Sequence, residues 1–164
     1  MDLPSIHDFA GDRTAPHVEV LGATNFDFAQ MIEAAGARSV VEALTDHLQV
    51  DAATMRESIA HSGPLFIHAY QLWMDRPGGP DELNELARSG GPQQFADRPG
   101  LVKASVSRQE GQVYLKHLFP NDEERDRLTQ QMAEHLGIDS KKLETMMPSL
   151  AALFIGVLCK SIAA

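Results

Sequence analysis

The stretch 135-HLGIDSKKLETMMPSLAALFIGVLCK-160 decides how this chain folds. From Leu150 to Cys159 it is apolar on every face of a helix, the pattern of a segment surrounded by protein. A membrane-spanning helix needs about 20 such residues, so this run reads as a buried core helix and a membrane role is disfavoured. Asp139 is placed to cap the helix SKKLETMM, and Pro148 is expected to open the last helix, where proline's missing N–H costs least. Eighty-eight positions upstream lies 47-HLQVDAATMRESIAHSGPLFIHAYQL-72. Its His47, Leu48, Asp51, Leu65, Phe66 and Ile67 stand at the places of His135, Leu136, Asp139, Leu153, Phe154 and Ile155. Both copies read as a helix closing on His-Leu, a tight turn, an Asp cap, a two-turn helix, a proline break and an apolar helix. Such a unit cannot cover its own apolar face. The sequence therefore predicts an internal duplication in which two halves bury their last helices against each other, the C-terminal one most deeply.

Outward from these copies the chain reads as all-α, with eight or nine helices in one domain over residues 24–164 after an irregular tail, 1–23. The first half, 24–74, starts with NFDFAQMIEAAG, whose Phe26, Phe28, Met31, Ile32 and Ala35 form a stripe between an Asn25 cap and a Gly36 stop. ARSVVEALTDHL follows, with Val40, Val41, Leu44 and Leu48 at similar spacing. Residues 75–110 form a Gly/Pro-rich connector around one amphipathic helix, PDELNELAR; LVKASVSR within it reads as extended or helical, since a lone strand has no partner. The second half, 111–164, opens with GQVYLKHLF, presenting Val113, Tyr114, Leu118 and Phe119. In PNDEERDRLTQQMAEHLG, Asn121 is the cap, the acids Asp122, Glu123 and Glu124 sit where the helix dipole favours them, and Gly137 is the stop.

Twenty-three Asp and Glu against 14 Lys and Arg give a net charge of −9 and a pI near 5.1. That balance repels the phosphate backbone and anionic lipid alike, which argues against nucleic acid and leaves a basic protein as a compatible partner. The single cysteine, Cys159, excludes an internal disulfide, and the first residues lack the apolar segment of a secretory signal, so cytoplasm is the expected compartment.

The segment 111-GQVYLKHLFPNDEERDRLTQQMAEHLGIDSKKLETMMPSLAALFIGVLCK-160 resembles the C-terminal part of the YidB-like bacterial proteins, a domain-of-unknown-function family. Gly111, Leu118, Phe119, Gly137, Ile138, Pro148 and Gly156 stand at the places of that pattern, while Pro120-Asn121 replaces the glycine expected after Phe119. The resemblance implies an all-α bacterial domain, often built on a repeat. It implies no activity and no catalytic residues.

Seven histidines raise the question of a metal. Glu57 and His61 are four apart, and His61 and His68 lie two turns apart across the expected Gly63-Pro64 break, but no HxxxH or HExxH spacing occurs and no metal or cofactor is expected. His47 and His135 read as last-turn residues that bond open carbonyls. Cys159 reads as a small buried hydrophobe, and GxSxG or phosphate-loop motifs are missing. Tyr70 and Trp73, just before MDRPGGP, offer a partner-facing rim, although a tryptophan equally suits the core. The expected function is a non-catalytic helical module that binds a protein partner or a second copy of itself. The alternative is an enzyme or a small-ligand or metal-binding protein using Glu57, His61, His68 and His117 in a cleft between the halves.

Overall fold

Asp27 starts α1 (Phe28–Ala35) by accepting the Gln30 amide on its carboxylate at 2.7 Å. The expected cap Asn25, Phe26 and the expected tail 1–23 lie outside the residues that the structure, a computed structural model, describes: 27–103 and 105–163. Gly36 stops α1 at φ 69°, a left-handed conformation that side-chain-bearing residues rarely adopt, and α2 (Arg38–Leu48) follows. Asp51 caps α3 (Ala52–Asp75) by accepting the Thr54 amide at 2.6 Å, and this bond lowers the pKa of its carboxyl. Then come α4 (Gly79–Ser89), α5 (Gln94–Asp97), a 3-10 turn (Pro99–Lys103), α6 (Ser105–Leu118), α7 (Asp122–Leu136) and α8 (Ser140–Ala163). Asn121 caps α7 by accepting the amides of Glu123 and Glu124 at 2.9 and 3.2 Å. Among the described residues there are eight α-helices and no strand, so the fold is a single all-α domain.

Both prolines expected to break the chain sit inside continuous helices of 24 residues, Pro64 in α3 and Pro148 in α8. A proline inside a helix costs about 3 kcal/mol. Burial on both sides outweighs it, because each fully buried Leu or Phe contributes about 1.5–3 kcal/mol and Leu65, Phe66, Leu150, Leu153 and Phe154 are all buried. The expected connector, 75–110, is also mostly helical: it holds α4, α5, the 3-10 turn and the first turn and a half of α6, which begins at Ser105 rather than at 111. Of LVKASVSR, residues 101–103 are thus 3-10 turn and 105–108 helix. Val113, expected in the core, is 48% exposed.

α8 touches each of the other α-helices and is buried without interruption from Met146 to Cys159. Phe28, Phe66 and Phe154 form its aromatic centre, with ring centroids 5.2 to 5.9 Å apart. α3 and α8 therefore do meet, through Phe66 and Phe154, but the helix that covers most of α8 is α6. Glycine is the reason. A Cβ at Gly111 would fall 1.9 Å from the carbonyl oxygen of Pro148, so only its absence lets the two backbones approach this closely.

The 88-residue offset recurs in the element bounds. α2 ends at Leu48 and α7 at Leu136, each followed by a left-handed residue (Gln49, Gly137), and the bond from the Val50 amide to the Thr45 carbonyl has its counterpart between Ile138 and Ala133. α3 and α8 then begin and end at matching positions. Their environments differ, since α3 alternates buried and exposed positions. By running through Pro148, α8 also becomes longer than the sequence suggests: Ser140–Ile162 is long and apolar enough to cross a membrane, with mean hydropathy 1.6, while 78% of its apolar window is buried by the rest of the protein.

Candidate functional site

The last turn of α3 carries Trp73, wholly buried, whose indole N–H needs an acceptor. It donates to Glu82 Oε1 on α4 at 3.2 Å. Glu82 lies in the first turn of α4, where the helix dipole stabilises a carboxylate. Its other oxygen is 3.6 Å from Nδ1 of His117, and that imidazole stacks on the Trp73 ring, centroids 4.9 Å apart and planes 18° from parallel. The Arg76 guanidinium donates to the His117 carbonyl, satisfying an acceptor that the end of α6 leaves open. The ends of α3 and α6 and the start of α4 are thus tied into one polar clamp.

Beside the clamp, sharing Arg76 with it, runs a groove of about 210 Å³ between α3 and the turn from α6 to α7. Leu65, Ala69, Leu72, Leu118, Phe119 and Leu128 form its apolar surface. Leu72 is 39% exposed there, between buried Gln71 and Trp73 in the chain and beside half-buried His68 and Arg76 on its own face of α3. His68 and Arg76 bound the groove on the α3 side, and Asn121 and Glu124 at the start of α7. What the groove provides is an apolar contact surface with His68, Arg76, Asn121 and Glu124 at its edge.

The sequence candidates are scattered. Tyr70 and Trp73 are 2% and 0% exposed, which removes them from any partner-facing rim, and burial pushes the Tyr70 hydroxyl up to about 12. Gln71, between them in the chain, is buried as well. His61 and His68 share the unbroken α3 but lie about 10 Å apart along its axis, so they do not converge. His68 lines the groove, whereas His61 meets His135 of α7, with ring centroids 4.5 Å apart at 75°. Glu57 is exposed one turn before His61. Cys159 is fully buried, and burial pushes its thiol up to about 12. Among the described residues no three His, Cys, Asp or Glu side chains gather as metal ligands. Sequence reasoning missed Glu82, Arg76, Leu72 and Glu124: Leu72 and Arg76 lie four apart at the end of α3, but Glu82 and Glu124 reach them from α4 and α7, at no spacing that could mark the group. No protein-family model, curated protein or solved structure matches this chain.

Proposed function

We propose that this chain is a non-catalytic helical interaction module, acting in the cytoplasm, whose groove between α3 and α7 receives the apolar face of a basic amphipathic helix from a partner protein. The observation that carries this reading is Leu72, left 39% exposed inside a groove lined by Leu65, Ala69, Leu118, Phe119 and Leu128. Charge supports the choice of partner. Asp122, Glu123 and Glu124 fill the first turn of α7 at the groove's end, and nearby Arg125 is paired with Asp122 at 3.3 Å. The net charge of −9 acts in the same direction.

Two further parts belong to the proposal. Descent of α2–α3 and α7–α8 from one duplicated unit is supported by the shared offset of their bounds and stops. Kinship with the YidB-like bacterial proteins is supported by Gly111 and Pro148, two residues of that pattern, being the backbone contact between α6 and α8.

Fluorescence anisotropy with two synthetic amphipathic helices of equal length, one Leu/Lys and one Leu/Glu, tests the reading. The Leu/Lys peptide is expected to bind, and Leu72→Glu to weaken it at least about tenfold, the equivalent of roughly 1.4 kcal/mol. Equal binding of both peptides, or binding untouched by Leu72→Glu, overturns it. A dimer in light scattering that Leu72→Glu dissolves would give the groove to a second copy instead.

A further inference from the structure

We infer that His61 and His135 form a two-histidine site for a divalent transition-metal ion of the Cu²⁺, Ni²⁺ or Zn²⁺ type, which ties α3 to α7. The two rings come from different helices and stand 4.5 Å apart, edge to face. Imidazole binds such ions at about 2.0–2.1 Å through an in-plane lone pair, so a tetrahedral ion requires two ring nitrogens about 3.3 Å apart, and binding turns one of the two edge-to-face rings about its side-chain bonds until both point at the ion. His61 is half-buried and His135 exposed, so an ion can enter from solvent and keep water in its remaining positions. The setting favours a cation. His135 occupies the last turn of α7, where the helix dipole is negative, and Glu57 lies on the face of α3 that carries His61, one turn earlier. Imidazole nitrogen suits these three ions, with Cu²⁺ held most tightly.

The repeat supplies an internal control. His47 is the counterpart of His135 and is also exposed in the last turn of its helix, α2, and His61 is the residue that meets His135. The experiment uses the untagged full chain, titrated calorimetrically with the chlorides of copper, nickel and zinc in a non-chelating buffer and melted with and without each ion. One ion per chain is expected, with copper tightest and a higher melting temperature in its presence. His61→Ala and His135→Ala should each weaken binding at least about tenfold and remove the rise, while His47→Ala leaves both unchanged. Circular dichroism of the metal-free variants establishes that they fold, and exposed His135 is the position least able to disturb the fold. The inference is overturned by the lack of saturable binding, by binding that survives in folded His135→Ala, or by binding that leaves the melting temperature unmoved.

Discussion

Replacing Gly111 by alanine tests whether α6 and α8 lie as close as the structure has them. On an open helix face the change would stabilise by about 1 kcal/mol, because glycine loses more backbone freedom on folding. Gly111 does not face open space. The new Cβ would stand 1.9 Å from the carbonyl oxygen of Pro148, 2.5 Å from its carbonyl carbon and 2.9 Å from its Cα. All three are backbone atoms of the buried part of α8, so none can swing aside. Ordinary contact begins at 3.4 Å, and the helices must therefore part by about 1.5 Å along this line. A gap of about 0.5–1 Å already forfeits a quarter to a half of the dispersion energy, and Tyr114, Leu115 and Leu118 are buried along the same helix. Overpacking of this kind costs about 3 kcal/mol at the upper end of its usual range. Net of the propensity gain, Gly111→Ala should lose about 2 kcal/mol, or roughly 4–8 °C in melting temperature for a chain of this size. Urea unfolding followed by the emission of Trp73, the only tryptophan, measures it. A variant as stable as the parent, or more so, would refute the packing of these two helices.

Charge in the buried helix should be intolerable: Leu153→Asp leaves an unpaired carboxylate in a 0% exposed position, costs several kcal/mol against a total of about 5–15, and should yield no cooperative unfolding transition. Glu82→Ala removes the acceptor of the buried Trp73 N–H and should cost about 1–2 kcal/mol in urea unfolding, nearly all of it from that bond, because the contact of Glu82 with His117 is half-exposed. Stability should also fall at high pH. Burial raises the ionisations of Cys159 and Tyr70 to about 12 and that of Tyr114 as well, while the unfolded chain ionises near 9 and 10. Between those limits the folded state holds the extra protons, so stability is full below about pH 9 and declines toward 12, by up to about 1.4 kcal/mol per pH unit for each group. Urea midpoints that stay level across this range would contradict the burial of all three. Iodoacetamide should likewise leave Cys159 unmodified until the chain unfolds.

Local chemistry was legible in the sequence wherever a single residue does the work. Asp51, Asn121, Gly36 and Gly137 act on their own neighbouring amides and carbonyls, and each caps or stops the helix it was expected to. The prolines were misread because a local rule, one lost hydrogen bond, competes with tertiary burial that only the fold reveals. Tyr70 and Trp73 were ambiguous for the same reason, since an aromatic residue suits an interface and a core equally. The clamp was out of reach: nothing near Glu82 announces His117, and they meet because α4 and α6 both pack against α8.

The position of α8 in the chain has a cost during synthesis. Every helix that rests on it leaves the ribosome first, so Phe28, Phe66 and Tyr114 wait in water, without their common partner, until α8 has been made. At about 5–20 residues per second its 24 residues take roughly 1–5 seconds, an interval in which the nascent chain offers sticky surface to holding chaperones and to neighbouring copies.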